Sequence, residues 1–340
     1  MKEYLEKVIE GQNLTFDEAY KAMYSIMSGN ENNSKIASML TALKMKKETP
    51  EEVAGFVKAM REKVIKIKCD DENVIDVCGT GGDGSGTFNI STAVGFVVAG
   101  AGVKVAKHGN RSISSKSGSS DVLHELGVEV QLSPELSEKA LNEIGIAFLF
   151  APMYHPAMKH VAPIRKELEF RSIFNILGPL TNPAGTKRQL IGTFNDATAK
   201  LMSDAVKHLE MKKVCFICTN NTYDEISLTH PSNVIETMDN NGMYLYRLTH
   251  ESFGFPHVWL DQIQGGSAKE NAEIIYNIFS GKEKTPGYYV VVANAAVALK
   301  IAGVSENIND CIQIAEESIQ SGKTLNKLHE LTRPPRPQRP

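Results

Sequence analysis

No stretch of this sequence stays apolar long enough to cross a membrane. The opening segment Met1–Gln12 is amphipathic and charged, unlike a secretory signal. Export into an oxidising compartment is therefore not expected. The five cysteines, Cys69, Cys78, Cys215, Cys218 and Cys311, are an odd number and suit a disulfide framework poorly, so reduced thiols in a cytoplasmic protein are the simplest expectation. Cys215 and Cys218 have CxxC spacing, but they sit in Lys213–Thr219, which reads as a buried strand. Residues three apart on a strand face opposite sides, and no second Cys/His pair completes a tetrahedral zinc site. A surplus of positive charge is also missing: 37 Lys and Arg stand against 40 Asp and Glu, for a formal net charge of −3. That balance argues against binding nucleic acid through global charge. The chain has no internal repeat. What is present, 340 residues of which 42% are hydrophobic and 23% charged, is enough for one large domain or two unequal ones.

Residues 1–70 read as a small helical domain. Thr15 can cap a helix with Asp17 and Glu18 in its first turn and Ala19, Met23, Ile26 and Met27 on one face. Asn33 and Ser34 can open a second, lined by Ile36, Met39, Leu40 and Leu43. A third has Thr49 as cap, Pro50 at the first helical position and Glu52 closing a capping box, followed by the stripe Val53, Phe56, Val57, Met60 and Val64. From residue 71 to 332 strands alternate with helices. Strands are expected at 74–78, 103–106, 147–150, 190–194 and 214–219, and helices at 89–101, 117–126, 196–209, 268–279 and 309–321. This predicts an α/β domain whose central, mostly parallel sheet is covered by helices, with ligands outside the carboxyl ends of the strands. The segment Met153–Arg171, rich in Pro, His, Lys and Arg, reads as a helical excursion toward the N-terminal helices, and part of 153–185 is assigned to that domain. The Arg/Pro-rich tail 333–340 suits neither helix nor sheet.

Two glycine-rich loops carry the chemistry. Gly79–Thr87 follows a strand, and Asn89-Ile90-Ser91-Thr92 just downstream crowds a helix N-terminus with amide and hydroxyl groups. One polar residue suffices to cap a helix, so three exceed that need. The second loop places Lys107, His108, Asn110 and Arg111 around Gly109, followed by Ser112, Ile113, Ser114 and Ser115. Backbone N–H groups, small hydroxyls and fixed positive charge at helix starts suit a polyanion such as pyrophosphate. Asp224 and Glu225 follow Asn220-Asn221-Thr222-Tyr223 at a strand end. Alone they read as solvated acids on a turn; opposite phosphate loops they suit Mg²⁺, which takes one or two carboxylates plus substrate phosphates. Arg165 can grip a carboxylate with both arms of its guanidinium, or serve as an ordinary surface helix residue.

GTGGDGSGTFNIST (79–92), VAKHGNRSISSKSGSSDVL (105–123), FLFAPMYHPAMKHVAPIRKELEFRSIFNILGPLTNPA (148–184) and DEIS (224–227) together resemble the anthranilate phosphoribosyltransferases, of the nucleoside phosphorylase type II fold. The helical start and NAAVAL (294–299) extend the likeness over nearly the whole chain. The resemblance implies a small helical domain beside a larger α/β domain and a homodimer joined through the helical domains. It implies that Gly79, Gly82, Asp83, Thr87, Asn89, Ile90, Ser91, Thr92, Lys107, His108, Gly109, Asn110, Arg111, Ser112, Ile113, Ser114, Ser115 and Ser119 hold phosphoribosyl pyrophosphate. Ser91, Asp224 and Glu225 would hold Mg²⁺. Gly79, Asn110 and Arg165 would hold anthranilate, with His108 and His155 lining its path; Lys107, Asn110 and Arg165 are the implied catalytic residues. One departure stands out: the family commonly has a glycine-bearing turn before DE, where this chain has Asn220-Asn221-Thr222-Tyr223. A pyrimidine nucleoside phosphorylase shares the fold, but there a lysine is followed by serine and glycines rather than KHGNR, and the DE pair is not expected. No nucleic acid or membrane partner is expected.

Overall fold

The computed structural model describes residues 1–111, 117–238 and 242–333. Ser112, Ile113, Ser114 and Ser115 of the second glycine loop, and the tail from Pro334, lie outside the described residues.

Four helices open the chain: α1 (Lys2–Ile9), α2 (Phe16–Met27), α3 (Asn33–Lys46) and α4 (Pro50–Lys63). Both expected capping boxes form. Glu18 N donates to Thr15 Oγ1 at 3.3 Å while Thr15 N donates to Glu18 Oε2 at 3.0 Å. Thr49 and Glu52 pair in the same way at 3.3 and 2.8 Å. Glu52 is fully buried, and its carboxylate also receives Leu14 N and Lys46 Nζ, tying the segment before α2 and the end of α3 to α4. The cap of α3 is Asn32, one residue ahead of the expected start, and Val64 lies just past the end of α4. The helix α1 falls within the helical domain expected over residues 1–70, although the sequence reading gave it no bounds of its own.

The sheet follows, with β1 (Ile75–Gly79), α5 (Ile90–Gly100), β2 (Val105–Gly109), α6 (Ser119–Glu125), α7 (Pro134–Glu143) and β3 (Ile146–Phe150). The chain then leaves the sheet through the short helices α8 (Ala151–Tyr154), α9 (Ala162–Leu168) and α10 (Phe174–Leu177). It returns with β4 (Arg188–Gly192), α11 (Asp196–Ala205), β5 (Lys213–Thr219), β6 (Ser232–Met238) and β7 (Met243–Leu248). The helices α12 (Ala268–Phe279), α13 (Pro286–Ala302), α14 (Ile308–Gln320) and α15 (Lys323–Leu331) close the domain. The strand order is β3-β2-β1-β4-β5-β6-β7, with the first five parallel and β6 and β7 antiparallel.

Alternation along the strands divides them between two cores. Ile75 and Val77 of β1 and Cys215 and Ile217 of β5 pack with α5 and α13. Cys78, Val214 and Phe216 face the other way, into a core shared with Val53, Phe56 and Val57 of α4. Cys215 and Cys218 therefore face opposite sides of β5, and both are free thiols. Val161, Ile164, Phe174 and Leu177 from the excursion after β3 sit in this second core with the N-terminal helices. Among the described residues no helix is long and apolar enough to cross a membrane.

The turn Asn220-Asn221 explains the departure from the family pattern. Asn220 and Asn221 both adopt left-handed backbone, at φ 52° and 51°. Asparagine tolerates that conformation better than any other common side chain, so it can stand where glycine is frequent.

Candidate active site

Five parallel strands direct their carboxyl ends to one rim, and β1 lies where the chain order reverses, between β2 and β4. Such a switch point opens a crevice in which α/β sheets hold ligands. Both glycine loops leave from this crevice, and the Asp224–Glu225 pair enters it from the turn after β5.

Gly79 ends β1 so close to Asp224 that a Cβ there would lie 2.5 Å from Asp224 Oδ2, which reserves the position for glycine. Gly81 turns with φ +67° and points its N–H at the same oxygen, at 2.9 Å. Asp224 N reaches Asp83 Oδ2 at 3.4 Å, and Glu225 Oε1 accepts from Ser91 N at 3.2 Å. Lys107 Nζ donates to Val77 O at 2.7 Å and Ser91 Oγ at 3.3 Å. An ammonium has three donors, so one remains for an anion. Gly79, Asp83, Ser91, Lys107, Asp224 and Glu225, spread over the sequence, thus meet in one place.

The electrostatics follow from burial. Enclosure pushes the Asp224 carboxyl up to about 7, and Asp83 adds to the effect while the Gly81 N–H opposes it. Glu225 is pushed well above the usual carboxylate range, first by burial and then by Asp224. Burial lowers Lys107 while Asp76 holds it up. Two mutually repelling carboxylates in an all-oxygen setting fit a hard divalent cation. Among the described residues no group of three or more His, Cys, Asp or Glu is gathered to hold a metal unaided. The Asp224–Glu225 pair itself suits Mg²⁺, whose coordination substrate phosphates can complete. Thr92 Oγ1, on the first turn of α5, and Ser120 Oγ, on the first turn of α6, are buried without a hydrogen-bond partner among the described residues.

The remaining expected residues fall around this centre. His108 and His155, 47 residues apart, approach with their Nε2 atoms 3.2 Å from each other. Burial and then His155 push His108 down to about 3, and burial pushes His155 down to about 4, so both are neutral imidazoles. Asn110 O accepts from Ser119 Oγ at 3.1 Å. Arg111 lies over the Phe150 ring, 5.7 Å from its centroid. Thr87 bridges Gln264. Ile90, the first residue of α5, has its side chain in the core and gives its N–H to Phe88 O, so its side chain is turned away from the crevice. Arg165, on α9, lies over Phe174 at 5.5 Å and makes no ion pair among the described residues. Among those residues no hydrogen bond joins it to the glycine loops.

Three residues escaped the sequence reading. Asp76, fully buried in β1, accepts from His108 N at 3.1 Å and Asn182 Nδ2 at 2.7 Å, and burial pushes it up to about 6. Its signal was an acid inside the apolar strand Ile75–Cys78. Arg171 donates to Gly82 O and lies 4.4 Å from the Phe194 centroid. Gln264 Nε2 holds Ser85 O at 3.0 Å, fastening the first loop from a distant segment. Neither had a local signature.

A helical bundle joined to an α/β sheet with two glycine-rich loops at its rim defines a class, and two family models match it. The helical bundle domain of a glycosyl transferase family covers residues 2–64, and the a/b domain of that family covers residues 71–325. Within this class the chain belongs to the anthranilate phosphoribosyltransferase family. It is 46% identical over 331 residues to the anthranilate phosphoribosyltransferase of Thermoanaerobacter sp. (strain X514), covering 97% of each chain. The crystal structure of the enzyme from Thermus thermophilus superposes with a TM-score of 0.91 at 36% identity, over 97% of this chain and 98% of that one. The Saccharomyces cerevisiae enzyme in complex with phosphoribosyl pyrophosphate and Mg gives 0.87 at 28% identity, over 96% and 95%.

Proposed function

We infer that this chain transfers the phosphoribosyl group of 5-phosphoribosyl 1-pyrophosphate to the amine of anthranilate, a step of L-tryptophan biosynthesis. The products are N-(5-phosphoribosyl)anthranilate and pyrophosphate. The observation that carries this reading is the convergence of Gly79, Gly81, Ser91, Lys107, Asp224 and Glu225 at the switch point of the sheet.

The bond from C1′ to the pyrophosphate oxygen breaks and a bond from C1′ to the amine nitrogen forms, and the surplus amine proton leaves for solvent or pyrophosphate. An aromatic amine is already neutral near pH 7, so no strong base is required. Lys107 and the loop N–H groups take up negative charge on the leaving group. Ser91, Asp224 and Glu225 would hold Mg²⁺, which when bound offsets charge on the pyrophosphate. The glycine loops, Asn89, Thr92, Arg111 and Ser119, with Ser112–Ser115, grip the donor. Arg165, half-buried and without an acidic partner among the described residues, receives the anthranilate carboxylate, and Asn110 and Gly79 set its amine. His108 and His155 wall the approach as neutral rings. Residues 1–70 with part of 153–185 form the helical unit, and two copies pair through it; Ile9 and Met45, 65% and 81% exposed there, give the pair apolar surface to cover. We place the enzyme in the cytoplasm.

With Mg²⁺ and phosphoribosyl pyrophosphate, the protein should consume anthranilate, read as loss of its fluorescence. Arg165→Ala should raise KM for anthranilate far more than KM for phosphoribosyl pyrophosphate. Equal effects would remove Arg165 from the acceptor site, and no consumption by the unaltered chain would overturn the reading as a whole.

A further inference from the structure

A phosphate oxygen only accepts hydrogen bonds, so an asparagine that meets one must present its nitrogen. The side chain of Asn89, just before α5, can turn either way. At a helix cap it would ordinarily accept a backbone N–H, yet here it makes no capping bond. Its Oδ1 instead accepts from Asn271 Nδ2 at 3.0 Å and from Ser117 Oγ at 3.4 Å. The orientation of Asn271 is itself fixed. Its Oδ1 accepts from Gly266 N at 2.7 Å, and a backbone N–H can only donate, so its Nδ2 must be the end that meets Asn89 and Ser117 Oγ, the latter at 2.8 Å. Asn271 is 2% exposed on α12, whose own N-terminus is already closed by the Ser267–Glu270 box. These bonds are therefore not spent on capping.

We propose that Asn271 is a positioning residue for donor binding: it turns the amide of Asn89 so that Nδ2 faces the ligand. It also ties Ser117, at the end of the second loop, to the start of α5, so the two glycine loops meet the pyrophosphate in register. Asn89 Nδ2 itself makes a long bond, 3.4 Å to Ser117 O, which leaves a proton for a phosphate oxygen. The inference rests on the reading of the loops as the phosphoribosyl pyrophosphate site.

Asn271→Asp keeps the shape but exchanges donors for acceptors, so Asn89 must turn its oxygen toward the ligand. KM for phosphoribosyl pyrophosphate should rise by about tenfold or more, with KM for anthranilate held within about twofold. Added to Asn89→Ala, which removes the amide that is being positioned, Asn271→Asp should raise that KM little further, within about twofold. The melting temperature of each variant shows that the protein compared is folded. An unchanged KM for phosphoribosyl pyrophosphate in Asn271→Asp, an equal rise in both KM values, or multiplying effects in the double variant would overturn the proposal. Failure of the unaltered enzyme to use phosphoribosyl pyrophosphate would instead overturn the functional reading beneath it.

Discussion

His108 and His155 illustrate what a single residue reveals before and after folding. Nothing in the sequence links them apart from the family resemblance, yet the fold sets them 3.2 Å apart in a buried wall. Burial holds His108 near 3 and His155 near 4, whereas an unfolded histidine takes up its proton near 6.5. Between about pH 4 and 6.5 the unfolded chain thus binds more protons than the folded one. Stability from the neutral pair is complete above that window and is lost as pH falls through it, by up to about 1.4 kcal/mol per pH unit for each ring. Asp76, pushed up to about 6, acts in the opposite sense, but it is common to both proteins in the comparison. Urea denaturation from pH 7 to 5 should therefore show a shallower loss of stability for His155→Gln than for the unaltered protein; equal slopes would contradict the assignment. Asp224 and Glu225 carry the same lesson. As two acids on a turn they are ordinary, and their closeness to Gly81, Ser91 and Lys107 is what supports the metal role proposed for them.

At the scale of elements, legibility followed local physics. The Thr15/Glu18 and Thr49/Glu52 boxes declare their helices because the capping groups lie within one turn in sequence and in contact in space. The helix α12 was legible to its ends for the same reason. By contrast α13 is buried nearly all round and so has no polar face to give it a helical period. The edge strand β7 exposes Tyr244 and Leu245 side by side, which spoils alternation. The end of α11 was placed late because a tight 3₁₀ turn, Val206–His208, continues its pattern. The Asn220-Asn221 turn gives a test at this scale. Asn220→Gly should leave stability nearly unchanged, whereas Asn220→Val should cost about 1–2 kcal/mol by forcing a branched side chain into left-handed backbone. Thermal denaturation checks both, and equal costs would mean that the turn is not held at φ 52°.

Over the whole molecule, a mostly parallel sheet with its ligand site outside the carboxyl ends of the strands was legible because strand and helix alternate from residue 71 onward, whereas the strand order and its switch point came only with the fold. What was not legible is the way remote segments fasten the loops. Gln264 holds Ser85, Arg171 holds Gly82 and Asn182 holds Asp76, each across a long separation in sequence. Such bonds arise only once the chain has folded, and no local spacing announces them. They give the crevice its shape before any ligand arrives, which is what positioning a charged donor demands.

The central claim is that the glycine loops and the Asp224–Glu225 pair together hold a magnesium-bound diphosphate sugar. Calorimetric titration of phosphoribosyl pyrophosphate, with and without Mg²⁺, tests it most directly in the unaltered protein and in Asp224→Asn/Glu225→Gln. The account predicts Mg²⁺-dependent binding in the former and at least about tenfold weaker binding in the latter. Equal affinity without the metal, or in the doubly substituted protein, would contradict it.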